Sequence, residues 1–227
     1  MHVLGHQEAR RRPLQRDPSC PGSPRSPPSR RAAARDDLTT EWPPDMRIET
    51  AMGSETEERT KRLLVELLEH YNTSRWHFTD RVVIDENAVG HSHPVLTLGT
   101  KFPVRSRVGV VSLFLHEQIH WYLVAKREAC SAAQQELSTV YPEVPDASNG
   151  GARNERSTYL HLIVNWLEIE VLRAVVGSGN AEETLQAACR GRVYQWIYSR
   201  VADDRDVIGN VIRKHGLDEI LHPEPGS

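Results

Sequence analysis

Residues 107 to 125 read Arg107-Val108-Gly109-Val110-Val111-Ser112-Leu113-Phe114-Leu115-His116-Glu117-Gln118-Ile119-His120-Trp121-Tyr122-Leu123-Val124-Ala125. From Val108 to Ala125 the side chains are apolar nearly all round, the pattern of a helix buried in a domain core. Two histidines and a glutamate stand inside it. Positions 116 and 120 lie one turn apart on the same face, so both imidazoles can reach one ion while Glu117 stands beside them as a general base. Burying a polar group without a partner costs roughly 2 to 7 kcal/mol, a cost that a shared metal ion removes. The stretch predicts a core helix carrying a hydrolytic zinc site.

A catalytic zinc ion takes three protein ligands and a water, so the H-E-x-x-H pair needs a partner further along the chain. A long apolar helix expected from about Asn154 to Val176, closed by Gly177-Ser178-Gly179, supplies candidates. Asn154, Thr158, His161, Asn165 and Glu168 fall on one narrow stripe, and Leu160, Leu162, Ile163, Val164, Trp166, Leu167 and Ile169 cover the rest. A polar stripe on a buried helix faces something polar. His161 is the first choice for third ligand, with Asn165 and Glu168 behind it as groups that orient the imidazoles. Glu155 and Glu168 are the alternative third ligands. His91 and His93, in a turn before Pro94, read as structural or substrate-edge residues, because the motif already fills two positions of a four-coordinate site.

Upstream of the motif, Ser54-Glu55-Thr56-Glu57 has the form of a capping box and predicts a helix to about His70, with Leu63, Leu64, Leu67, Leu68 and Tyr71 as its apolar stripe. Arg81 to Asp85 and Pro94 to Gly99 read as strands flanking a turn-rich segment, which suggests an antiparallel hairpin. Downstream, a short helix is expected over 131–139, a loop from Tyr141 to Gly151, and two covering helices at about 181–202 and 204–215. The expected fold class is α+β and mostly helical, with a small antiparallel sheet packed on the motif helix.

Residues 1 to 45 are rich in Arg, Pro and Ser and nearly empty of large apolar side chains, so they read as a disordered tail, or as a start assigned too early with Met46 or Met52 as the true one. Residues 46 to 227 read as a single domain. The whole chain's net charge of -3 gives no basic field of the kind nucleic acid requires. Cys20, Cys130 and Cys189 are odd in number and far apart, which suggests no disulfide framework and a reducing, cytoplasmic setting. No apolar run is long enough to span a bilayer and no signal-peptide core is present, so the chain reads as soluble, with no membrane partner.

From about residue 80 to 175 the chain resembles the zincin superfamily of metallopeptidases, in which a strand edge precedes the H-E-x-x-H helix and a later helix supplies the last ligand. The metzincin branch is excluded, since Leu123 stands where its glycine would be and Lys126 where its third histidine would be. Gly151-Ala152-Arg153-Asn154-Glu155 resembles the segment by which thermolysin-like enzymes supply a glutamate ligand, although the gap from His120 is longer and Tyr159 replaces the usual aspartate. Ser92 to Leu98, His116 to Trp121 and Ser157 to Leu162 are also similar to a group of small, uncharacterised bacterial proteins with a zincin-type motif.

The superfamily resemblance implies one zinc ion, Glu117 as the base that deprotonates a water and later protonates the leaving amine, and an oxyanion donor, with Tyr159, Tyr122 and Tyr194 as candidates. The expected substrate is a peptide or a small amide. A peptidase would need an open edge strand, with residues 94 to 99 the candidate, whereas a closed pocket would favour a small substrate. The competing expectation is a zincin-fold protein that binds a metal or a partner without turnover.

Overall fold

The structure, a computed structural model, describes residues 46–100 and 106–222. The segment read as a disordered tail, and Cys20 within it, lie outside them.

Helix α1 (Glu55–Tyr71) begins as its sequence implies. Ser54 Oγ accepts the Glu57 N–H at 3.2 Å, and Glu57 Oε2 accepts the Ser54 N–H at 3.4 Å. The same buried carboxylate also takes the N–H groups of Met52 and Gly53 at 2.9 Å, and that of Glu86 at 3.1 Å. One glutamate thus caps the helix and ties it to the chain just beyond a neighbouring strand.

Strands β1 (Arg47–Thr50), β2 (Arg81–Asp85) and β3 (Leu96–Gly99) form a sheet in that order, and both pairings are parallel. Helix α1 makes the crossover that a parallel β1–β2 pair requires. The expected antiparallel hairpin is therefore corrected: Val82 faces Leu96 and Ile84 faces Leu98 in parallel register. Residues 86–95 turn past the end of β2 and run back along the outer edge of β3 before entering it. His91 pairs antiparallel with Thr97, their N–H and C=O groups exchanging bonds of 2.9 and 2.8 Å. The turn-rich segment does make an antiparallel contact, but it is the segment itself, not β2, that supplies the partner.

Seven α-helices lie among the described residues, so the fold is α+β and mostly helical. After α2 (Arg107–Ala125) come α3 (Arg127–Val140), longer than expected, and α4 (Glu155–Val176), which Asn154 caps by accepting the Ser157 N–H at 2.8 Å. The helix expected over 181–202 is two: α5 (Ser178–Cys189) and α6 (Gln195–Asp203), separated by a turn in which Tyr194 takes a left-handed conformation with φ of 55°. Helix α7 (Arg205–Lys214) follows.

Helix α4 is the hub. It packs against α2, α3, α5, α6 and α7, which is why its sequence is apolar on nearly every side. Its Trp166 donates to the Arg205 carbonyl at 2.8 Å and lies so close to Gly209 that a Cβ there would stand 2.6 Å from the indole. Tyr122 closes the other end of α2, donating to the Leu217 carbonyl at 3.1 Å. Cys130 and Cys189 are free thiols. No helix among the described residues is long and apolar enough to cross a membrane.

Candidate metal centre

The packing of α2 on α4 brings together three imidazoles. His116 and His120 come from α2 and His161 from α4, each offering a ring nitrogen within 4.8 Å of the others. His116 and His161 are buried and His120 is half-buried. Ring centroids stand 5.1 Å apart for His116 and His120, 5.2 Å for His120 and His161, and 5.6 Å for His116 and His161.

Two of the rings are held from behind. His116 Nδ1 donates to Glu168 Oε2 at 2.9 Å, and His161 Nδ1 donates to the Ser157 carbonyl at 2.7 Å. Each bond commits Nδ1 and leaves Nε2 with its lone pair free for an ion. Glu168 is itself fixed by two further donors, the hydroxyls of Ser112 and, at 2.8 Å, Tyr198.

Electrostatics favour ligation at two of the three rings, His120 and His161. Burial, reinforced by the neighbouring imidazoles, pushes His120 down to about 2, and burial with His116 nearby pushes His161 down to about 4. Both are therefore neutral near pH 7, the state a metal requires. Burial acts to lower His116 as well, but its bond to Glu168 and the charges of Glu168 and Glu117 raise it overall. Burial raises Glu117 against the opposing pull of His116 and His91, which makes its carboxylate a stronger base than one in water. Three convergent nitrogen donors with a carboxylate behind one of them form a set that could hold one metal ion.

The other predicted residues fall into place around this cluster or away from it. Glu168 stands behind His116 as an orienting group rather than among the convergent donors. Glu155 is exposed in the first turn of α4, its carboxylate 3.5 Å from the Tyr159 hydroxyl and outside the cluster. Asn165 departs from expectation. It is fully buried, yet neither amide atom has a hydrogen-bond partner among the described residues, so Glu168 alone orients an imidazole from that stripe.

Tyr159 is also corrected, because its hydroxyl donates to the Tyr141 carbonyl at 2.6 Å. Tyr122 is committed to Leu217. Of the three candidate tyrosines, only Tyr194 faces the histidines, its ring 4.3 Å from His161 and 6.2 Å from His116. Burial and the charge of Glu117 raise its phenol, so it stays protonated and able to donate.

His93 stacks on Trp121 at 4.2 Å, and the Trp121 indole donates to the Ser92 carbonyl at 2.8 Å. The loop is thereby fastened to α2 one residue beyond the motif. Three contributors escaped the sequence reading. Ser112 was visible as a polar residue one turn before His116, whereas Tyr198 arrives from α6 with no local signal. Gln118, between the motif histidines, accepts the N–H groups of Phe78 at 2.6 Å and Thr79 at 3.2 Å and so anchors the lead-in to β2.

Comparison of the chain with protein-family models, with curated proteins and with solved structures returned no match.

Proposed function

We propose that this protein is a zinc-dependent hydrolase that cleaves an amide bond, a zincin-like metallohydrolase, as the resemblance of its motif implies. The observation that carries this reading is the meeting of His116, His120 and His161, with donors within 4.8 Å of one another, next to a buried glutamate. A site whose only task was structural would close its coordination and have no use for a base beside it.

A zinc ion held by the three imidazoles would supply Lewis acidity, polarising an amide carbonyl and making a water acidic enough to attack it near neutral pH. The chain's own groups do the rest. Glu117, whose basicity burial raises, takes the proton from the attacking water and returns it to the leaving nitrogen. Glu168 holds the ring of His116 in place. Tyr194, protonated and with its ring against that of His161, donates to the oxygen on which negative charge develops.

The test is metal content and amide turnover of the full chain. About one zinc per chain is expected for the wild type, lost in His120→Ala and His161→Ala and kept in Glu117→Gln, with turnover in Glu117→Gln falling by roughly 10²- to 10⁴-fold. A well-folded wild type that takes up no metal would refute the reading.

A further inference from the structure

Resting on the hydrolase reading above, we infer that the site takes a compact amide, recognised by side chains around the three histidines, and does not bind an extended peptide along β3. The edge that such a peptide would need is already taken by the chain itself. β3 ends the sheet, yet all four of its residues are buried. Its outer edge faces residues 88–91. Thr97 spends both its N–H and its C=O on His91, at 2.8 and 2.9 Å, and a Cβ on Gly99 would lie 2.6 Å from the Ala88 carbonyl oxygen. Segment 88–91 thus occupies the place of a fourth, antiparallel strand.

The covered edge is also the one that borders the chemistry. β3 packs against α2, and a Cβ on Gly90 would stand 3.6 Å from Glu117 Oε1 and 3.8 Å from Leu113 Cδ1. Segment 88–91 is at once the partner of β3 and a wall beside the base. It is pinned on its far side as well, by the indole of Trp121 on the Ser92 carbonyl and the stacking of His93 on that ring. Recognition by strand addition draws its affinity from unpaired main-chain groups on an edge, and at Thr97 those groups are already paired. A substrate must therefore be short enough to reach the histidines without running beside β3.

The experiment compares two hydroxamates, which chelate zinc without being hydrolysed, on the zinc-loaded full chain by calorimetry: acetohydroxamate and a tetrapeptide carrying a terminal hydroxamate. Main-chain pairing along an open edge would tighten the peptide ligand by roughly 100-fold. The expected result is a gain of less than about tenfold, smaller than such pairing supplies. A gain of about 100-fold or more, with zinc at one per chain, would overturn the compact-amide inference and leave the hydrolase reading standing. Failure of the protein to take up zinc would refute the hydrolase reading and this inference together.

Discussion

Glu168 Oε2 accepts the Nδ1–H of His116 at 2.9 Å across the α2–α4 interface, and no other carboxylate bonds directly to a ring of the cluster among the described residues. Both partners are nearly excluded from solvent, so the bond acts in a medium where its electrostatics are little screened. It fixes which nitrogen of His116 faces the other two histidines.

Glu168→Gln is expected to weaken zinc binding by roughly 10- to 100-fold, as loss of an orienting carboxylate does elsewhere. The amide could still accept from Ser112 or Tyr198, so the fold should persist. Glu168→Ala leaves three buried donors unpaired and should cost several times the roughly 1 to 3 kcal/mol of one unsatisfied group. Zinc affinity by competition with a chelator, beside a urea melt of each variant, separates the two effects. Unchanged affinity in Glu168→Gln would show that the bond does not orient a ligand.

Tyr194→Phe keeps the ring that packs against His161 and removes only the hydroxyl. Metal stoichiometry and melting temperature should be unchanged, while kcat falls by roughly 100-fold or more, the loss seen when one oxyanion donor is removed. Equal turnover in wild type and variant would make Tyr194 a packing residue.

The parts of the fold that were legible in the sequence share one property: their signal is local. The capping box at Ser54 and Glu57, the apolar run of α2 and the polar stripe on α4 each follow from residues within a few turns of one another. His161 could be picked out because a histidine on an apolar helix needs a partner. The errors lie where distant segments decide. Alternation of apolar residues predicts that 81–85 and 94–99 are strands but carries no information on whether an intervening loop doubles back, and here it does, pairing His91 with Thr97. Tyr198 reaches Glu168 only because α5 and α6 are separate helices, and the break between them needs a non-glycine residue, Tyr194, at positive φ, which composition does not announce.

His77 provides a pH dependence away from the three-histidine cluster. Its Nε2 lies 3.0 Å from the Thr73 hydroxyl and its ring packs edge-on against Phe114 at 5.4 Å. Burial lowers it from 6.5 to about 4. The unfolded chain therefore binds this proton more readily than the folded one, so the stability it confers is complete above pH 6.5 and lost as pH falls from there through about 4. His77→Gln should melt with a shallower decline over that window, and the wild-type minus variant difference isolates His77 from other groups that titrate there. Parallel curves would show that the ring is solvated in the folded state.

Asn165 carries the last expectation. It sits between His161 and Glu168 on the polar stripe of α4, fully buried, with both its amide nitrogen and its amide oxygen unpartnered among the described residues. An unsatisfied buried amide costs roughly 1 to 3 kcal/mol. Leucine has nearly the same shape and no polar atoms to desolvate, so Asn165→Leu should raise the unfolding free energy of the metal-free protein by about that amount. Urea midpoints of the two chelator-treated proteins measure it, and zinc stoichiometry should be the same for both because Asn165 supplies no donor to the cluster. A lower midpoint in the variant would mean that the amide is hydrogen-bonded in solution, which would place Asn165 beside Glu168 among the groups that support the histidines.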